Sequence, residues 1–152
     1  MNKLKPLPEE WSGLLNNEQK EAIENINGPL LIIAGAGSGK TRVLTYRYAH
    51  LIKTYGINFE NVLAITFTNK AANEMKDRIS DLLNLELSPK WISTFHSLCV
   101  KMLRIHGHLI GFNNNFTIYD QSDSTKLVRN CMRDSDIDTK QYSPKRIQAH
   151  IS

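Results

Sequence analysis

Apolar positions along the chain change their period in a regular order, and that order predicts the elements. Asn16 or Asn17 can cap a helix running to about Asn27, with Ala22, Ile23 and Ile26 on one face and Asn27-Gly28-Pro29 as its stop. Leu30-Leu31-Ile32-Ile33 is a continuous apolar run after that turn, the signature of a strand buried on both faces. A glycine-rich turn follows. A helical period then runs from about Gly39 to Tyr55, with Val43, Leu44, Tyr48, Leu51 and Ile52 inward and Gly56 placed to close it.

The cycle repeats twice more. Val62 to Thr66 reads as a second buried strand, Phe67-Thr68-Asn69 as a turn, and Lys70 to about Leu83 as a helix with Ala72, Met75, Ile79 and Leu82 on its face. Trp91 to Thr94 is a third strand, followed by a helix from about Phe95 to Leu109 carrying Leu98, Cys99, Met102 and Leu103. Strand, turn and helix in succession predict an α/β fold with a parallel sheet and right-handed crossovers. After Gly111 the pattern changes. Asn113 to Asn115 is a loop, Phe116 to Tyr119 a short strand-like run, Ser122 to about Arg133 a helix, and Ser143-Pro144 a helix start. That last helix meets no stop signal before Ser152, which reads as a truncated chain.

At 152 residues the chain has the length of one ordinary domain. Its 41% hydrophobic and 22% charged content is that of a soluble globular protein and sets aside disorder, collagen-like repeats and a disulfide scaffold. The longest uncharged apolar run, Pro29 to Ala36, is far short of the roughly 20 residues that cross a bilayer. The basic start, Met1 to Pro6, leads into Pro8-Glu9-Glu10, so no signal peptide is expected. Cys99 and Cys131 lack ligand spacing and read as two reduced, largely buried thiols of a cytoplasmic protein.

The net charge of +4 is uneven. Residues 40–110 carry 10 basic and 5 acidic side chains, and His50, His96, His106 and His108 lie in the same stretch. A polyanionic partner suits this excess, and so does a solvated lysine face.

The most specific signal is Ala34-Gly35-Ala36-Gly37-Ser38-Gly39-Lys40-Thr41, set between a strand and a helix. It is the Walker A pattern with Ala at its first position, expected by chance in roughly 1 in 100 chains of this length before that setting is required. Glycines let successive backbone N–H groups turn inward around phosphate oxygens, and the helix N-terminus adds unpaired donors. Lys40 can reach the β- and γ-phosphates and the Thr41 hydroxyl can ligate Mg²⁺, which makes them the candidate catalytic pair. A dinucleotide-binding turn is the other glycine-rich option. Here, however, Thr41-Arg42 replaces its third glycine region, and no acidic strand end follows about 20 residues on.

In open parallel sheets ligands bind beyond the carboxyl ends of the strands. Thr66, Phe67, Thr68 and Asn69 follow one such end, and Thr94 and His96 another. Hydroxyls and amides there suit phosphate oxygens, and an aromatic can stack on a base. Taken singly, Phe67 reads as well as a half-buried core aromatic, Thr94 as a helix cap and His96 as a surface histidine. Lys70, Lys76 and Arg78 are as readily a solvated helix face as a track for nucleic acid.

Leu15-Asn16-Asn17-Glu18-Gln19, the Walker turn, Thr66 to Met75, and Ser93-Thr94-Phe95-His96-Ser97-Leu98-Cys99 with Arg104 together resemble the UvrD/Rep/PcrA group of superfamily 1 DNA helicases. They stand in the order of that family's Q motif and motifs I, Ia and Ib, over about residues 14–150. The resemblance implies an incomplete RecA-like P-loop NTPase domain, called 1A, over residues 1–110. It also implies the beginning of a mainly helical inserted subdomain, 1B, over residues 111–152. It implies that Gln19 reads adenine, and that Ala34 to Thr41 with Arg42 bind ATP and Mg²⁺. Thr66, Phe67, Thr68, Asn69, Thr94 and His96 would meet single-stranded DNA or the tail of a 3′-tailed duplex.

The implied activity is that of an ATP-dependent 3′-to-5′ DNA helicase or translocase in repair or replication. The family's Asp-Glu strand motif, arginine fingers, adenine-stacking aromatic and second RecA-like domain are absent from these residues, so the fragment alone is expected to be inactive. Phe116 to Asp120 is the only apolar run ending in Asp, and Asp120 reads as the cap of the next helix. A helicase–nuclease recombination subunit shares all these motifs. A P-loop phosphotransferase shares the Walker turn but leaves Thr66 to Met75 without a role, and a non-catalytic nucleic-acid-binding module remains a third class.

Overall fold

Local capping chemistry sets most helix starts. The Asn16 side chain accepts from Gln19 N–H at 2.8 Å while Gln19 Oε1 accepts from Asn16 N–H at 3.1 Å, a reciprocal cap that starts α2 (Asn17–Glu24). In this computed structural model, which describes residues 4–86 and 89–151, α2 follows a single turn, α1 (Glu9–Ser12). The basic start at Met1 to Lys3, and Ser152, lie outside the described residues.

The glycine-rich turn leads into α3 (Lys40–Lys53), and Gly56, at φ 66°, donates to Ile52 O to close that helix as expected. A β–α–β unit follows. β1 (Ala64–Thr66) and β2 (Ile92–Thr94) pair in parallel with Ala64 opposite Ile92 and Thr66 opposite Thr94. α4 (Asn69–Leu83) joins them, its Thr68 cap accepting from Ala71 N–H at 3.1 Å, and α5 (Phe95–His106) leaves β2 directly.

Two apolar clusters hold these elements. Trp11, Leu15 and Ile23 pack against Val43, Tyr46 and Ala49 of α3. Tyr48, Met75, Ile79 and Ile92 form the second, with Phe59, Val62 and Ala64 around them. Burial of each large aliphatic side chain here contributes about 1.5–3 kcal/mol. Tyr48 donates to Phe59 O at 3.1 Å, and burial pushes its phenol up to about 12.

The chain divides into two compact units, one ending at Met102 and the other starting at Leu103. In the second, α6 (Gln121–Asp134) starts on Asp120, whose carboxylate accepts from Asp123 N–H at 2.8 Å. That bond and those from Ser122 hold the Asp120 carboxyl below the usual carboxylate range, as a cap requires. α7 (Pro144–Ile151) packs on α6, with Thr125 Oγ1 donating to Gln148 Oε1 at 2.8 Å. The Arg104 guanidinium lies 5.6 Å from the centre of the Phe116 ring.

Four expectations are corrected. Leu30 to Ile33 has no regular secondary structure and pairs with no strand among the described residues, and Leu31 and Ile33 are 83% and 89% exposed. A strand is buried on both faces only when neighbours flank it. The α3 face is rotated, with Thr45, Tyr46, Ala49 and His50 enclosed while Leu44 is half exposed. Phe116 to Tyr119 forms no strand, again for want of a ladder. Cys131 is exposed on α6 and Cys99 half-buried, both free thiols. No helix among the described residues is long and apolar enough to cross a membrane.

Candidate functional site

The Walker turn is built around two left-handed glycines, Gly37 at φ 76° and Gly39 at φ 88°, a region other residues enter only under strain. A Cβ added at Gly35 or Gly37 would meet nothing within 4 Å, so the turn is open there to a ligand. The first intrahelical bond of α3 is Val43 N–H to Gly39 O, which leaves the amides of Lys40, Thr41 and Arg42 without a helical partner. No side chain caps this end. Unpaired N–H groups and the positive end of the helix dipole together suit a polyanion, so the residues present fit a triphosphate.

Lys40 folds back across the turn. Its Nζ donates to the carbonyls of Ala34 and Gly35, at 2.8 and 2.5 Å. The Ser38 hydroxyl also donates to Gly35 O at 2.8 Å, so this carbonyl gathers the turn into a closed loop. Thr41 is exposed at the first turn of α3, its side chain accessible.

Gln19 and Arg42 bring the N-terminal segment onto the same turn. Gln19 Nε2 donates to Ser38 O at 3.2 Å, and Arg42 donates to Leu14 O at 3.5 Å. A cavity of about 400 Å³ opens beside Arg42, lined by Thr45, Tyr46, Arg78, Asp81 and Leu82. Its far wall on α4 has no counterpart in the sequence pattern, where Arg78 is one of several surface cations.

The register brings the two strand tips together, because Thr66 and Thr94 are partners across the sheet. Phe67 is 99% exposed, which excludes the core aromatic reading. Thr66 Oγ1 donates to Thr68 O at 3.0 Å and Thr68 caps α4, so the turn is braced internally while Phe67 and Asn69 face solvent. His96 is exposed and meets Phe95 edge to face with ring centres 6.5 Å apart. Phe95, the first residue of α5, is also exposed. Thr94 takes the helix-cap position that its residue type also allows. It is 7% exposed, and its hydroxyl accepts from Ser97 N–H and lies 2.9 Å from Ser97 Oγ, so it holds the start of α5 instead of offering a free donor.

The Walker turn with Gln19 braced against it, and Phe67 exposed at a strand tip, belong to the same compact unit. Residues 15–152 match the UvrD/REP helicase N-terminal domain, and the chain belongs to that family. It is 48% identical over 138 residues to an ATP-dependent DNA helicase PcrA of Staphylococcus aureus. It is 50% identical over 139 residues to that of Leuconostoc citreum and 48% over 138 to that of Staphylococcus epidermidis. Each alignment takes in 91% of this chain, and the chain spans 19% of the length of each relative.

Proposed function

We propose that this chain is the N-terminal, ATP-binding part of an ATP-driven 3′-to-5′ DNA helicase or translocase that moves on single-stranded DNA in the cytoplasm. Residues 1–110 form the first part of a RecA-like P-loop domain 1A, and residues 111–152 the start of helical subdomain 1B. The observation that carries this proposal is Phe67. A wholly exposed aromatic at a strand tip, flanked by Thr66, Thr68 and Asn69, suits stacking on an unpaired base.

Within this proposal Lys40 leaves the Ala34 and Gly35 carbonyls to meet the β- and γ-phosphates, beside the N–H groups of Gly37, Gly39 and Thr41. The Thr41 hydroxyl holds Mg²⁺, which neutralises phosphate charge when bound. Gln19 meets adenine, with Arg42 beside it. Phe67 stacks, Asn69 and His96 reach phosphates, and Thr66, Thr68 and Thr94 fix the turns that present them. Hydrolysis awaits the Asp-Glu strand and arginine fingers of the whole protein.

Fluorescence anisotropy of labelled oligo(dT), with and without Mg-ATP across a salt series, tests this. Binding that weakens with salt and responds to ATP is expected. Equal affinity for duplex and single strands, or none for either, would overturn it.

A further inference from the structure

Gln19 stands where two turns 19 positions apart meet. Its Oε1 accepts from Asn16 N–H at 3.1 Å and its Nε2 donates to the Ser38 carbonyl at 3.2 Å. The contact is close-fitting, since a Cβ added at Gly39 would lie 2.7 Å from the same Nε2. From the other side, Ser38 is held by its hydroxyl and N–H, both donating to Gly35 O. The Ser38–Gly39 peptide is therefore clamped between Gly35 and Gln19.

That clamp fixes a direction. The peptide is trans and planar, so a Ser38 carbonyl turned toward Gln19 turns the Gly39 N–H away from it. We infer that Gln19 is a positioning residue for the phosphate turn: through the Ser38 carbonyl it orients the Gly39 N–H and the leading amides of α3. A primary amide offers two N–H donors and two acceptor lone pairs. One of each is engaged with Ser38 and Asn16, and one of each remains. The same side chain can brace the turn and meet a purine edge together. Contact with the correct base then restricts the amide and tightens its hold on Ser38, so base identity is felt at the phosphates. The brace itself rests only on the geometry of the turn. Its consequence for nucleotides rests on the proposed ATP site.

Gln19→Glu isolates the brace. A glutamate at this position keeps the acceptor for Asn16 N–H and so keeps the α2 cap, but it sets an acceptor against the Ser38 carbonyl. In the ¹⁵N-labelled chain without ligand, NMR amide exchange at Ser38, whose N–H donates to Gly35 O, should rise roughly fivefold, while amides 20–24 keep their wild-type rates. Gln19→Met, of similar volume, should give the same rise at Ser38 and fray α2 as well. Unchanged exchange at Ser38 in both variants would overturn the inference.

A second arm uses inorganic tripolyphosphate, which has no base. Positioning predicts that Gln19→Glu weakens tripolyphosphate and ATP by similar factors. Loss confined to ATP would leave Gln19 a base reader only and overturn the inference. Should the wild-type chain bind neither, the ATP-site proposal fails while the exchange experiment still decides the brace.

Discussion

Trp11 and Tyr46 meet edge to face, ring centres 5.4 Å apart and planes at 85°, and this contact ties the N-terminal turn to the middle of α3. The Lys53 ammonium lies 5.4 Å from the indole centre and pairs with Glu10. Trp11 is buried with Leu15, Ile23, Val43 and Ala49, so the indole is the keystone of the first cluster. Trp11→Ala should cost about 3–5 kcal/mol, enough to consume much of a small domain's stability. Lys53→Met should cost under about 1 kcal/mol, because both partners of its ion pair are partly solvated. Urea melts followed by near-ultraviolet circular dichroism check both. Equal losses would place the energy in the ion pair.

The succession of strand, turn and helix is legible in the sequence because its signals are local. Asn16, Thr68 and Asp120 each cap a helix through a bond to the residue three positions on, and Gly56 closes α3 within one turn. Burial is less legible because neighbours decide it. Leu44 and Leu51 read as inward on a helical wheel, yet they line an open apolar cavity of about 230 Å³ with Leu63 and Ile65. Thr45 and His50 read as polar, yet α2 and α4 pack along α3 and enclose them. The Walker turn announces itself in eight consecutive residues. The Gln19 to Ser38 bond depends on how distant segments meet, which periodicity does not encode, whereas Thr94 caps α5 locally through Ser97, three positions on.

The exposed run Leu30 to Ile33 carries a consequence for solution behaviour. Leu31 and Ile33 present apolar surface on a segment that pairs with no strand among the described residues, a known route to association. The chain alone should bind the dye ANS and self-associate with rising concentration. Leu31→Ser with Ile33→Ser should reduce both while leaving the melting temperature within about 2 °C, since neither side chain is buried. Light scattering and dye fluorescence measure the change. Undiminished association would move the sticky surface elsewhere.

Lys40→Ala separates binding from folding. Lys40 is exposed and its two carbonyl partners remain open to water, so stability should change by no more than about 0.5 kcal/mol. Loss of a charge-assisted contact to phosphate should weaken a fluorescent ATP analogue roughly 10- to 100-fold. Retained affinity in the variant would take the turn out of nucleotide binding.

Phe67 and Thr94 lie near one another at the strand tips and should respond in opposite ways. Phe67→Ala removes a side chain that touches almost nothing, so folding should be unaffected while affinity for oligo(dT) falls roughly 5- to 100-fold. Thr94→Ala removes the cap of α5 and should cost about 1 kcal/mol of stability, with a smaller loss of DNA affinity. Anisotropy titrations beside thermal melts distinguish the two. Equal DNA affinity for Phe67→Ala and wild type would reject the stacking role.

His50 is fully enclosed on α3, with Nδ1 2.9 Å from Thr54 Oγ1 and Nε2 without a hydrogen-bond partner among the described residues. Burial lowers its pKa below the ordinary 6.5, opposed by the Lys5 backbone and Glu24 and assisted by Arg47. The folded state therefore favours the neutral ring, whereas the unfolded chain takes up a proton near the ordinary value. Stability should be complete above about pH 6.5 and decline as pH falls toward the lower folded value, because there the unfolded state binds more protons. Urea midpoints between pH 7.5 and 5.5 should fall in the wild type and vary less in His50→Gln. Parallel slopes for the two would show that the acid sensitivity comes from another group, since Gln at this position carries no titrating proton.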